Sequence, residues 1–198
     1  MYHKYHTSGF VLANFNSGEA SKIYKIFTRE LGLIYARAQS ARAPHSKLKP
    51  ALTDYSVGRF TFIKGKNGWK ITDAFTFFNL YFLLSWQSKE KVLFVSRFSA
   101  LLLKLLPADQ SNPLLFDVIR NDIHFLLENE LTGDNLRNFE CIAVLKLLDS
   151  LGYLGEGGPW RGLLSGRKIS PGDLDVFSSW RRAAIKEINQ SLRASQLI

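Results

Sequence analysis

The sequence predicts an α+β chain, with a small closed barrel of five β-strands over residues 1–80 followed by an all-α helical domain over residues 81–198. Three observations predict it. Apolar residues recur with a period near two up to about residue 80 and with a helical period beyond it. Turn signals divide the first part into five short runs, and five strands in so short a stretch avoid exposed edges best by closing. The charge also changes at the same place. Of the net +9, residues 1–80 hold twelve Lys or Arg against four acids, a net of +8, while residues 81–198 hold fourteen against thirteen.

Residues 7–15 (TSGFVLANF) are apolar and β-rich and break at Asn16-Ser17-Gly18. Residues 22–29 (KIYKIFTR) read as a second strand, with a short helix as the alternative. In the third, residues 32–39, Leu33, Tyr35 and Arg37 share one face and Ile34, Ala36 and Ala38 the other. Residues 40–54 form a loop in which Pro44 and Pro50 exclude regular ladder positions. Residues 55–64 and 69–78 pair as a hairpin turned at Gly65-Lys66-Asn67-Gly68, with Phe60 and Phe62 pointing into the barrel. The boundary is expected between residues 78 and 85. Residues 88–106 read as a helix stopped by Pro107. A second helix starts at Asn112-Pro113 and buries Phe116, Ile119, Ile123, Leu126 and Leu127. A third, capped by Asp134 or Asn135, buries Leu136, Phe139, Ala143, Val144, Leu147, Leu148 and Leu151 and stops at Gly152. Residues 152–172 are Gly-rich and loop-like, and a last helix spans about 173–194.

Composition limits the chemistry. The single cysteine, Cys141, allows neither an internal disulfide nor a thiolate zinc cage and reads as a small core residue. A reducing, cytoplasmic setting fits, and neither a signal peptide nor a membrane span is expected. His3, His6, His45 and His124 stand in no catalytic motif, and Gly155–Pro159 lacks the strand and the Lys-Ser/Thr of a phosphate loop. No catalytic residue, metal or cofactor is therefore expected.

The basic part is more informative. Leu31–Thr53 contains no acid but holds Arg37, Arg42, Lys47 and Lys49. Arg29, Arg59, Lys64 and Lys66 extend the set, interleaved with Tyr35, Tyr55 and Trp69. Lys and Arg neutralise phosphates and release counterions, and exposed aromatics stack unpaired bases. Trp69, beside the hairpin turn, is the stacking candidate. The same spacing also suits an RNA-binding or anionic-lipid-binding module, or a scaffold whose basic half only aids solubility.

Further residues carry a resemblance. Phe27-Thr28-Arg29-Glu30-Leu31-Gly32, then Ala36-Arg37-Ala38, Ala41-Arg42-Ala43-Pro44, Ser46-Lys47-Leu48 and Ala51-Leu52, resemble the N-terminal domain of the RecO family of bacterial recombination mediators. Leu101–Pro107, Pro113–Phe116, Arg137–Glu140 and Leu147–Tyr153 are similar to its helical domain, in the same order. The resemblance implies an OB-fold followed by helices. It implies binding of single- and double-stranded DNA, annealing of complementary strands, cooperation with RecR, and help in loading RecA onto DNA coated by single-strand binding protein. Arg37, Arg42, Lys47 and Lys49 stand in the matching basic segment. The acidic C-terminal tail of single-strand binding protein is expected on the helical domain beside Arg97 and Lys104. Many relatives carry a four-cysteine zinc module after the LGY helix; residues 154–172 hold no cysteine, so zinc is not expected.

Overall fold

A computed structural model describes residues 3–43, 45–164 and 168–195. Five strands come first: β1 (Lys4–Ser17), β2 (Ser21–Thr28), β3 (Gly32–Ala38), β4 (Ser56–Gly65) and β5 (Gly68–Asn79). They close in the order β1-β2-β3-β5-β4, with β4 returning to β1. All pairings are antiparallel except β3 with β5, which run parallel over two rungs, Ala36 opposite Trp69 and Arg37 opposite Lys70. This is the expected OB-fold barrel. The basic segment crosses from β3 to β4 as a loop with one 3-10 turn, Pro50–Leu52. Its Pro44, and residues 165–167 of the Gly-rich connection, lie outside the described residues.

Alternation builds the barrel core. Val11, Tyr24, Ile26, Ile34, Ala36, Ala38, Phe60, Phe62, Trp69 and Ile71 are buried together. Phe60 and Phe62 point inward as expected, and Tyr35 and Arg37 point out. Leu33 departs from the expected pattern. It has the parity of Tyr35 yet is buried, because the chain returns from the helices and lays residues 108–111 against this end of the barrel. The Asp109 amide donates to the Leu33 carbonyl at 2.9 Å. Gly32 makes that approach possible, with φ at +72° and a site where a Cβ would stand 1.9 Å from the Gln110 carbonyl oxygen.

The chain groups into two compact units, Met1–Pro113 and Leu114–Ile198. Strand gives way to helix at Asn79–Leu80, so α1 (Leu80–Ser85) and α2 (Lys89–Leu105) stay with the barrel. Both are capped by side chains: Asn79 accepts from the Phe82 amide and Ser88 from the Lys91 amide. Tyr55 reaches α2 with a hydroxyl 3.3 Å from Ser96 Oγ.

The second unit is all-α, with α3 (Pro113–Glu128), α4 (Gly133–Ser150), α5 (Arg161–Leu164), α6 (Pro171–Phe177) and α7 (Arg181–Ala194). Phe125 and Phe139 stack between α3 and α4 at 5.8 Å. Lys146 donates to the Asp122 carboxylate at 2.8 Å, with both side chains buried. Two expectations are corrected. Helix α4 begins one residue after Thr132, so the N-cap is Thr132 and not Asp134 or Asn135. The helix expected over 173–194 is two helices. Asn138 Nδ2 donates to both the Leu174 carbonyl and Ser178 Oγ, and Trp180 bonds back to Phe177 three residues earlier, tightening the chain there into a turn. No described helix is long and apolar enough to cross a membrane.

Candidate nucleic-acid interface

Register sets the outer face of β1, β2 and β3. Lys25 stands opposite Tyr35 and Ala13, while Ile23 stands opposite Arg37 and Phe15. The Lys25 ammonium sits between two rings, 5.9 Å from the centroid of Phe15 and 5.4 Å from that of Tyr35. Both rings keep nearly half their surface in solvent, at 45% and 43%. A cation held between exposed aromatics offers a base a flat apolar partner and a phosphate a charge.

Arg37 and Arg42 extend this face toward the turn between β1 and β2. Arg37 donates to Ser17 Oγ at 2.9 Å, and Arg42 reaches the Gly18 carbonyl at 3.3 Å. The Arg42 amide also bonds to the Ala20 carbonyl, which fixes the basic segment onto that turn. Arg42 and Lys49 then line a polar cavity together with Lys22. Arg37 is paired across the parallel rungs with Lys70, and Lys70 in turn with Ile63, which faces Lys4. The structure therefore adds Lys4, Lys22, Lys25 and Lys70 to the expected cations. The signal for Lys25 is its alternation with Tyr24 and Ile26, whereas Lys22 shares their parity and reaches the cavity only because it stands at the open end of β2.

The other expected residues are placed differently. Lys47 and Lys66 are exposed on loops. Arg29 lies at the far end of β2 from Lys22, with the Glu30 carboxylate 3.2 Å away. Arg59 projects from β4 level with Ser8 and Phe75. Lys64 lies 4.9 Å over the Trp69 ring and 3.9 Å from Asp109. Trp69 is a correction. It is 8% exposed, and its indole is used up inside the barrel: edge-on to Tyr5 and Phe62, with Nε1 donating to Asp109 at 2.9 Å. It offers no face to a base. Arg97 and Lys104 are exposed on α2 and, seven residues apart, share one face with exposed Leu93.

Among the described residues no three His, Cys, Asp or Glu side chains are grouped to hold a metal ion. His6 Nδ1 is 3.0 Å from Thr61 Oγ1 on the barrel wall. Cys141 is half-buried, and burial followed by the neighbouring Glu140 pushes its thiol up to about 11.

Residues 1–76 match the model of the N-terminal domain of recombination protein O. The chain is also similar to the DNA repair protein RecO of Alkaliphilus metalliredigens, at 30% identity over 154 residues, which is 74% of this chain and 57% of that protein. The chain belongs to the RecO family. Other RecO relatives agree. The protein from Halalkalibacterium halodurans is 30% identical over 132 residues, 65% of this chain and 49% of that one. The one from Acetivibrio thermocellus is 25% identical over 155 residues, 78% and 58%. The chain spans about half the length of the curated relatives it matches. The matched N-terminal region contains Arg37, Arg42, Lys25 and Tyr35, so the cation–aromatic face lies wholly within it.

Proposed function

We propose that this chain is a DNA repair protein that acts by binding DNA and makes or breaks no covalent bond. The observation that carries this reading is the outer face of β1–β3, where Lys25 sits between exposed Phe15 and Tyr35 and passes into Arg37 and Arg42 at one turn. Strands β1 and β3 hold the two rings and β2 the ammonium between them, so the face is preorganised. Its contacts are with charge and with the flat faces of bases, so it binds with little sequence preference.

Such a surface lowers the repulsion between two phosphate backbones. It binds single- and double-stranded DNA and anneals complementary strands, with base pairing as the driving force. As a family member it works with RecR and helps RecA load onto DNA coated by single-strand binding protein, in the cytoplasm at the nucleoid. The acidic, apolar tail of single-strand binding protein suits the stripe of Leu93, Arg97 and Lys104 on α2, which offers both charge and apolar surface.

The test is salt dependence. Changing Arg37, Arg42, Lys47 and Lys49 together to Ala weakens binding and flattens the log–log salt slope by roughly 0.7 per lost contact on single strands. Normal binding by the folded quadruple variant would reject this loop as a DNA contact. Tighter binding to a matched RNA than to DNA would move the reading to an RNA-binding module.

A further inference from the structure

We propose that the cavity between the β1–β2 turn and the basic segment is a phosphomonoester site that receives the phosphorylated end of a DNA strand. The assignment rests on the DNA-binding reading above and adds a strand terminus as the preferred ligand. The cavity measures about 450 Å³, within the range of roughly 300–1,000 Å³ typical of small-ligand pockets.

Three cations line it from separate stretches of chain: Lys22 on β2, and Arg42 and Lys49 in the basic segment. Among the described residues none of the three is paired with a carboxylate. Lys22 Nζ donates to Asn14 Oδ1 at 2.8 Å and Arg42 to the Gly18 carbonyl, acceptors that leave both charges unneutralised. An ammonium has three donors, so Lys22 keeps two for a ligand. Asn14 is held in one orientation, because its Nδ2 donates to Asp54 Oδ1 at 2.6 Å while its Oδ1 serves Lys22. The Lys22 ammonium is thus fixed at the cavity lining by a chain of hydrogen bonds that ends on Asp54.

Two features select an end over a strand interior. The cavity backs onto the barrel core at Tyr24 and Leu52, each 2% exposed, so a polymer cannot thread through. Three cations against the one carboxylate of Asp54 leave the lining net positive by two, which favours the dianion of a monoester over the single charge of a diester. Asp54, on the same lining, accepts hydrogen bonds and repels a second phosphate. It therefore suits the sugar or the base amino group of the end nucleotide. Arg37 bonds to Ser17 on the same turn, so the strand leaves the cavity along Arg37 toward the Lys25–Tyr35 face.

The experiment uses the full chain and fluorescence anisotropy with internally labelled DNA of about twelve nucleotides, within the span of one OB-fold site. The strands are identical except for a 5′-phosphate, a 3′-phosphate or hydroxyls at both ends. One phosphorylated form should bind roughly fivefold tighter than the hydroxyl form, about 1 kcal/mol, the upper range for a partly exposed ion pair. Lys22→Gln lowers affinity for every strand by its one lost charge and should abolish the difference between the phosphorylated and hydroxyl forms; a fivefold ratio that survives in this variant overturns the site. Asn14→Asp, which is nearly isosteric and places a carboxylate beside Lys22, should abolish the difference too. Equal affinity for all three strands overturns the site and leaves the proposed function standing. Binding of dAMP without any preference among strand ends assigns the cavity to a free nucleotide and overturns the strand-end reading. If no strand binds, the proposed function falls and this site with it.

Discussion

The indole of Trp69 donates to the Asp109 carboxylate at 2.9 Å, joining the hairpin of the barrel to the chain that returns from α2. That bond, the bridge from Leu33 to Ala108 and the positive φ of Gly32 together cover the end of the barrel where β3 and β5 share only two rungs. It explains why the compact unit continues to Pro113 and does not stop with the last strand.

A role in packing predicts a specific separation of effects. Trp69→Ala opens a cavity and lowers stability by about 3–5 kcal/mol in urea unfolding. Asp109→Ala leaves the indole N–H without its partner and costs about 1 kcal/mol. Trp69→Phe keeps most of the packing and should bind single-stranded DNA as the parent does. A large loss of affinity in folded Trp69→Phe would restore Trp69 as a stacking residue.

The buried pair of the helical unit predicts a pH effect. The Asp122 carboxyl is raised above its usual range, chiefly by burial, with Lys146 opposing that rise. Removing Lys146 as Lys146→Met strands a buried charge and should cost about 3–5 kcal/mol, whereas Lys146→Met with Asp122→Leu should cost far less. The sign follows from linkage. A carboxyl whose folded pKa exceeds its unfolded value binds more protons when folded, so it lowers stability as pH rises between the two. The deficit of Lys146→Met should therefore shrink on going from about pH 7.5 to about pH 4.5, measured as urea midpoints against the parent. A deficit that grew on acidification would contradict the buried-charge account.

Much of the barrel was legible because its signals are local. The hairpin at Gly65–Gly68 and the inward Phe60 and Phe62 follow from a two-residue period and a glycine turn. Trp69 was misread because its partner, Asp109, lies forty residues away in a loop that carries no pattern. The burial of Leu33, on the face it shares with exposed Tyr35, depends on the same returning loop. The Phe15–Lys25–Tyr35 cluster depends on the registers of two strand pairs, and the break in the last helix depends on Asn138 from another helix. Local sequence reports period and turns; it does not report which distant side chain completes a site.

Cys141 offers a chemical check on the helical unit. Its thiol is pushed up to about 11, first by burial and then by Glu140, so little thiolate exists near neutrality. Alkylation by iodoacetamide in native buffer should be about a hundredfold slower than for a free cysteine, and should reach the free rate in denaturant. A native rate near the free value would mean that this face of α4 opens readily.

The decisive prediction concerns Tyr35, whose ring is outward on β3 beside Lys25. Base stacking on an aromatic contributes about 1–3 kcal/mol, so Tyr35→Ala should weaken single-stranded DNA binding by about fivefold or more. Bases inside a duplex are already stacked, so double-stranded affinity should change little. Tyr35→Phe keeps the ring and should bind as the parent does. The salt slope should stay the same in Tyr35→Ala, because no phosphate contact is removed, whereas Lys25→Gln should lower it. If Tyr35→Ala weakened both DNA forms equally and changed the slope, the ring would be supporting the position of Lys25 and not receiving a base.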